Sequence, residues 1–296
     1  MKFSSEIDQN PARYQTVLYV VSQTRMTAQI ILLFRSLLLL IHFGLLCTSA
    51  TEFSIDSGGW VSDGESLILD AGPCNIEVRN GSMTQGEFLS NYAYFEPVVI
   101  RGASDNSEFQ EMCRKDRMLD KFGEKVITLS SANTYSYTKV DVTLEQYVSN
   151  YLKPQKLDQF GNETLYWFGD NNYAEWNELF RKYHAPKYYL PRLTAAYSFG
   201  VAGAGTGVPF HFHGPGFAEV VFGRKRWFMY PPHRRPRFNP NVTTLQWLLE
   251  DYPKLSGPEL PYECTINPGE VIYFPDHWWH GTLNLDASVF ISTFLG

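Results

Sequence analysis

From Ala195 to Gly296 the chain is a succession of short apolar and aromatic runs cut by glycine and proline, with one helical insert at Thr243 to Leu249. Strands this short bury a core only by curling together into a closed sheet, so the pattern points to a barrel or jelly roll. Upstream, residues 51–194 read as a mixed α/β flank. Residues 84–96 carry apolar residues at helical spacing, Pro97 to Gly102 reads as a buried strand, 109–122 and 144–152 read as helices, and 125–128 and 165–168 read as strands. No linker rich in Ser, Gly or Pro separates flank from barrel. The fold expected is mainly β with an α flank, one domain over residues 51–296 with its core at 195–296.

Residues 1–50 are of another kind. The apolar run from Ile30 to Leu46, broken by Arg35, is followed by small residues at Thr48 to Ala50. Its unbroken part is shorter than the ~20 residues that cross a bilayer, so residues 1–50 read as a leader and cleaved signal peptide, with Met26 a candidate true start. The sequons at Asn80, Asn162 and Asn241 agree with passage through the secretory pathway. The expectation is a glycoprotein of the endoplasmic reticulum lumen, or a secreted one, with no membrane span after cleavage.

The four cysteines show no Cys-x-x-Cys spacing, which excludes zinc ribbons and thioredoxin-like redox motifs. Cys47 falls in the leader. Three cysteines remain, for one disulfide and one free thiol, and Cys74 with Cys113 is the expected pair. A formal net charge of -6 excludes nucleic acid as the main partner, because phosphate binding needs a basic footprint.

In Pro209-Phe210-His211-Phe212-His213 two histidines stand two residues apart, so on a strand both imidazoles project from one face. A third, His280, follows Trp278-Trp279, and an antiparallel barrel could return it beside the first two. Metal binding is one reading of this set. Satisfied core or surface histidines are the other.

Taken in order, Tyr197 to Gly200, Pro209 to His211, Gly223 to Pro232, Cys264 to Pro275 and Trp278 to His280 resemble the motifs of the jumonji-C (JmjC) family, with Pro97 to Gly102 matching its N-terminal flank. The resemblance implies a cupin-like double-stranded β-helix. It implies Fe(II) held by a His-x-Asp/Glu pair and a distal histidine, 2-oxoglutarate as co-substrate, a protein substrate or partner, and a tendency to form homodimers. The implied ligands are His211, His213 and His280.

At His213 this sequence departs from the family, which places a carboxylate there. Three neutral imidazoles also suit Zn²⁺. Lys225 stands where the family's lysine pairs with the distal carboxylate of 2-oxoglutarate. The neighbouring hydroxyl residue is replaced by Val208, and Thr206 is the candidate to compensate. The resemblance therefore leaves two functions open: a regulatory or protein-interaction module with weak or absent oxygenase activity, or an Fe(II)/2-oxoglutarate-dependent protein hydroxylase. Proton competition for the ligands is expected near pH ~6.5, the range of unperturbed histidine.

Overall fold

The protein is described by a computed structural model over residues 56–61, 70–160, 164–169 and 171–296. The expected signal peptide, Met26, Cys47 and the sequon at Asn162 lie outside the described residues. Ile55–Gly296 forms one compact unit.

Among the described residues twelve strands carry the fold: β1 Val78–Asn80, β2 Val98–Arg101, β3 Val126–Ser131, β4 Lys139–Thr143, β5 Leu165–Phe168, β6 Ala195–Ala202, β7 Gly216–Phe222, β8 Lys225–Tyr230, β9 Tyr262–Ile266, β10 Glu270–Phe274, β11 Trp279–Asn284 and β12 Ser288–Leu295. Nine of them form one sheet in the order β1-β2-β10-β7-β12-β6-β5-β3-β4, and β11-β8-β9 form a second. A backbone bridge between His211 and His280 adds the 208–213 segment to the smaller sheet beside β11. Four strands of the large sheet and the smaller sheet thus face one another as a double-stranded β-helix.

The strands between residues 195 and 296 are buried on both faces, which is why they read as apolar runs rather than strict alternations. On β8 the alternation still sorts the residues. Trp227 and Met229 point inward to a cluster with Val220, Cys264, Ile272 and Phe274, while Phe228 and Tyr230 face outward against Leu245 and Trp247 of the helix Thr244–Glu250. On β12, Val289 and Ile291 lie under the flank, among Phe109, Phe122, Trp167 and Leu179. The α flank is therefore the cover of the outer sheet face.

Local signals set the helices. Thr84 and Glu87 form a capping box at the start of Gln85–Asn91, Thr143 and Gln146 form another, and Thr243 caps Thr244–Glu250. The helix expected over 109–122 is two, Ser107–Met112 and Lys115–Phe122. Arg114 is extended at the break, where the 56–60 segment docks: Lys115 N donates to Gly58 O and Trp60 Nε1 donates to Cys113 O at 2.8 Å. Among the described residues no helix is long and apolar enough to cross a membrane.

The disulfide differs from the expected pair. Cys74 is joined to Cys264, and Cys113 is a free, buried thiol. Asn75 explains it. Its N–H donates to Glu263 O and its side chain accepts from Glu263 N, which lays the 70–76 segment along β9 and sets Cys74 beside Cys264. Cys113 sits instead in the cluster under the outer sheet face, where burial raises its pKa well above the ordinary thiol range.

The bridge closes a loop of 190 residues, and long loops forfeit the most chain entropy on closure. Cys74→Ser should cost ~2–4 kcal/mol in urea unfolding, and reduction should shift wild type by the same amount without moving the variant. A Cys74–Cys113 linked peptide on non-reducing digestion would contradict the assignment.

Candidate metal centre

The three histidines converge because of one pairing. His211 N donates to His280 O at 3.1 Å and His280 N to His211 O at 2.8 Å, while Thr282 N donates to Val208 O and His277 N to His213 O. The 208–213 segment is extended along β11 but makes only this isolated bridge, not the regular strand its sequence suggests. His211 and His213 stay on the inward face, and the ligand atoms of all three lie within 4.8 Å of one another.

Each imidazole sets its Nδ1 2.8 Å from a backbone carbonyl: His211 to Pro209 O, His213 to Gly214 O and His280 to Trp278 O. A carbonyl only accepts, so Nδ1 carries the hydrogen and Nε2 keeps a lone pair. Carbonyl-oriented imidazoles are how proteins present histidine to a metal. Nε2 of His213 and Nε2 of His280 lie 3.1 Å apart, two lone pairs facing each other. Nitrogens that share one ion at ~2.0–2.1 Å stand roughly 3.0–3.4 Å apart, so this spacing suits a cation between them.

The electrostatics agree. Burial pushes His211 down to about 4, lowers His213, and takes His280 well below the ordinary histidine range. His280 is fully enclosed, whereas His211 and His213 are partly exposed as residues, their rings facing the cavity. All three are thus neutral at neutral pH, the form that ligates.

The histidines line a cavity of about 30 Å³ together with Lys225, Trp227, Thr282 and Ser292 and the rings of Phe168, Phe274, Phe290 and Phe294. Lys225 is 4% exposed. The turn at Gly223 and the pleat of β8 send it inward, while Arg224 pairs with Asp286 outside and Arg226 with buried Glu263. Among the described residues no carboxylate pairs with Lys225; its Nζ lies 3.3 Å from the centre of the Phe290 ring, and burial lowers its pKa to about 7.

Thr206 is not in the cavity. It is buried, its hydroxyl donates to Gly203 O at 2.5 Å and accepts from Asn284 Nδ2, and so it cannot stand in for the hydroxyl absent at Val208. The whole 203–207 segment is buried. Thr282 and Ser292 are the hydroxyls that line the site, and neither was singled out by motif. The period of two had the information: with Lys225 and His280 inward, Trp227 and Thr282 face inward too.

Other acidic and imidazole groups of the described residues lie outside the cavity. Glu219 lies on the outer face of β7, held by Asn106 at 2.9 Å and raised by burial to about 7. His277 pairs with Asp276 at the surface, and His233 is exposed. Asn80 and Asn241 are exposed, and the Asn241 side chain accepts from Tyr137 Oη.

Comparison with known proteins agrees with this architecture. A profile described as "Cupin-like domain" matches residues 86–294. The "JmjC domain-containing protein 8" of Mus musculus is 52% identical over 265 residues, covering 88% of this chain and 98% of its own length. The protein of the same name from Homo sapiens is 54% identical over 239 residues, covering 81% and 90%. The mouse "2-oxoglutarate and iron-dependent oxygenase JMJD4" is 32% identical over 108 residues, covering 32% of this chain and 25% of its own. Fold, pocket geometry and these likenesses together establish that the chain belongs to the cupin-like JmjC-domain family.

Proposed function

We propose that the chain is a lumenal JmjC-type barrel that holds a divalent ion on His211, His213 and His280 and serves as a regulatory or protein-interaction module, with weak or absent oxygenase turnover. The observation that carries the reading is the convergence of three Nε2 lone pairs with no carboxylate among the described residues beside them. The donor set fits a divalent ion, zinc as well as iron. Iron bound there would supply oxygen chemistry, but neutral ligands leave both its charges uncompensated in an enclosed site, which weakens binding relative to a site with a carboxylate. 2-Oxoglutarate fits poorly. Lys225 is retained for it, yet a cavity of about 30 Å³ has room for roughly two or three waters, and Phe290 covers the ammonium.

A second reading, a 2-oxoglutarate-dependent protein hydroxylase of the secretory pathway, draws on Lys225 and on the relative named an iron-dependent oxygenase. Metal titration and succinate production on wild type, His213→Asp and His280→Ala separate the two. Wild type should show low Fe(II) occupancy and no succinate above background, and His213→Asp should bind Fe(II) at least tenfold tighter. Robust wild-type turnover that His213→Asp abolishes would establish the second reading instead.

Proton competition should follow the buried pKa values and not the unperturbed range. Unfolded histidines take protons at ~6.5 while the native imidazoles resist, so between pH ~6.5 and about 4 the unfolded chain binds more protons. The metal-free protein should therefore lose stability as pH falls below ~6.5, and metal affinity of the native site should begin to fall at a lower pH than unperturbed histidines would give, because all three imidazoles are lowered by burial. Urea midpoints and Zn²⁺ titrations at pH 7, 6 and 5 read both, and a tenfold loss of Zn²⁺ affinity between pH 7 and 6 would refute it.

The lumenal assignment draws on the Cys74–Cys264 disulfide, on exposed Asn80 and Asn241, and on the apolar leader. Protein expressed through the secretory pathway should shift on glycosidase treatment, and Asn80→Gln with Asn241→Gln should remove part of that shift. Unmodified asparagines in a cytosolic product would overturn it.

A further inference from the structure

Among the described residues three glutamates are buried. Two have an arginine: Glu263 meets Arg226, and Glu270 meets Arg101 Nε at 2.6 Å. Glu219, 4% exposed on the flank face of β7, is answered only by an amide. Its two oxygens lie 3.1 and 2.9 Å from one nitrogen, Asn106 Nδ2. That amide is itself held, since Asn106 Nδ2 also donates to His184 O and Asn106 Oδ1 accepts from His184 N at 2.7 Å. With one N–H directed to His184, a single N–H is left for a carboxylate that can accept about four hydrogen bonds. Burial raises the carboxyl to about 7, the direction expected of a charge so poorly answered.

Glu219 borders open space as well as packed core. A cavity of about 220 Å³, several times larger than the one beside the histidines, lies between β7 and the 104–110 segment. Glu219 is on one wall and Asn106 on the other, so the hydrogen bonds between them set the carboxylate head in the space that separates the walls. The mouth is formed by the exposed residues Asp105, Ser107 and Gly269. Among the described residues no lysine or arginine lines this cavity, and Asp105 adds a second carboxylate to its rim. What the space lacks is a cation.

The geometry of the head selects among cations. Asn106 Nδ2 is nearly equidistant from both oxygens, so it stands between them, where the paired N–H groups of a guanidinium dock. The outer lone pairs remain, and they suit a compact donor with rotatable N–H groups, which is an ammonium. Val221 and Pro268 line the same cavity and give it an apolar side for a methylene stem.

We infer that this cavity binds a primary alkylammonium group, from a free amine or from a lysine side chain of another protein, with its N–H groups on Glu219 and its stem along Val221 and Pro268. The site lies on the outer face of β7, away from the histidines, and stands whether or not they hold a metal.

The test uses the full-length protein at pH 7, with zinc stoichiometry recorded for each variant. The chlorides of n-butylammonium, Nα-acetyl-lysinamide, Nα-acetyl-argininamide and tetramethylammonium are titrated calorimetrically. Butylammonium should saturate a single site, and argininamide and tetramethylammonium should bind about tenfold more weakly or less, the first for its fork and the second for its lack of N–H. Glu219→Gln keeps the shape and an oxygen for Asn106 but removes the charge, and should weaken butylammonium by about tenfold or more with zinc content unchanged. Ser107→Phe places a ring at the mouth and should give a similar loss with Glu219 and Asn106 untouched.

Lysinamide binding as tightly as butylammonium would uphold the site and assign it to a lysine side chain. Butylammonium binding with lysinamide shut out would uphold it for a free amine. Wild type without saturable butylammonium binding would overturn the inference, as would equal affinity in wild type and Glu219→Gln, or argininamide binding as tightly as lysinamide.

Discussion

The paired backbone hydrogen bonds between His211 and His280 hold the site together, because they fix the register of the 208–213 segment on β11. In an extended chain a slip of one residue sends each side chain to the opposite face. Such a slip would turn Phe212 inward and both histidines out, and would leave the aromatic cluster around Phe210, Tyr230 and Trp247 without its central ring. Core packing and ligand placement therefore enforce the same register. The hydrophobic cost of misplacing Phe210, fully buried at 1% exposure, protects the geometry of residues that contribute little to stability themselves.

The interior is electrostatically one-sided. Neutral imidazoles, a lysine and an indole share it with phenylalanine rings, and Lys225 is held there without a carboxylate. The other buried cation among the described residues is handled differently. Arg226, one residue further on and facing outward, meets Glu263 within the β8–β9 pair and is joined by Tyr252. Both residues are almost fully enclosed, so the pair is a matched burial that costs desolvation on both sides. That contrast makes Lys225 the residue that reports on ligand chemistry, since no carboxylate among the described residues balances it.

The N-terminal flank contributes structure more than chemistry. Its helices cover the outer face of the large sheet, the 70–76 segment is laid along β9 by Asn75 and joined by the Cys74–Cys264 bridge, and the 56–60 segment docks at the helix break beside Cys113. Each of these contacts secures a strand whose other face lines or supports the barrel interior. Glu219, buried at the flank side of β7 and tied to Asn106, belongs to this cover.

Much was legible from the sequence alone. Short apolar runs between glycines and prolines implied a closed β architecture, since such strands have no other way to bury both faces. The His-x-His spacing put two imidazoles on one side of an extended chain, and ordered motifs placed His280 and Lys225 in the same pocket. Only the tertiary structure decided the rest. It paired Cys74 with Cys264 because contacts 190 residues apart depend on which strand the flank reaches. It turned Thr206 away into a bond with Gly203 and put Thr282, Ser292 and Trp227 in its place, because hydroxyl direction follows cross-strand register. It also filled the space beside Lys225 with Phe290, a ring that in sequence is one more apolar residue on a buried strand. Periodicity gives the face a side chain occupies, but the distance between faces, and so the size of the ligand, comes only from how the two sheets close.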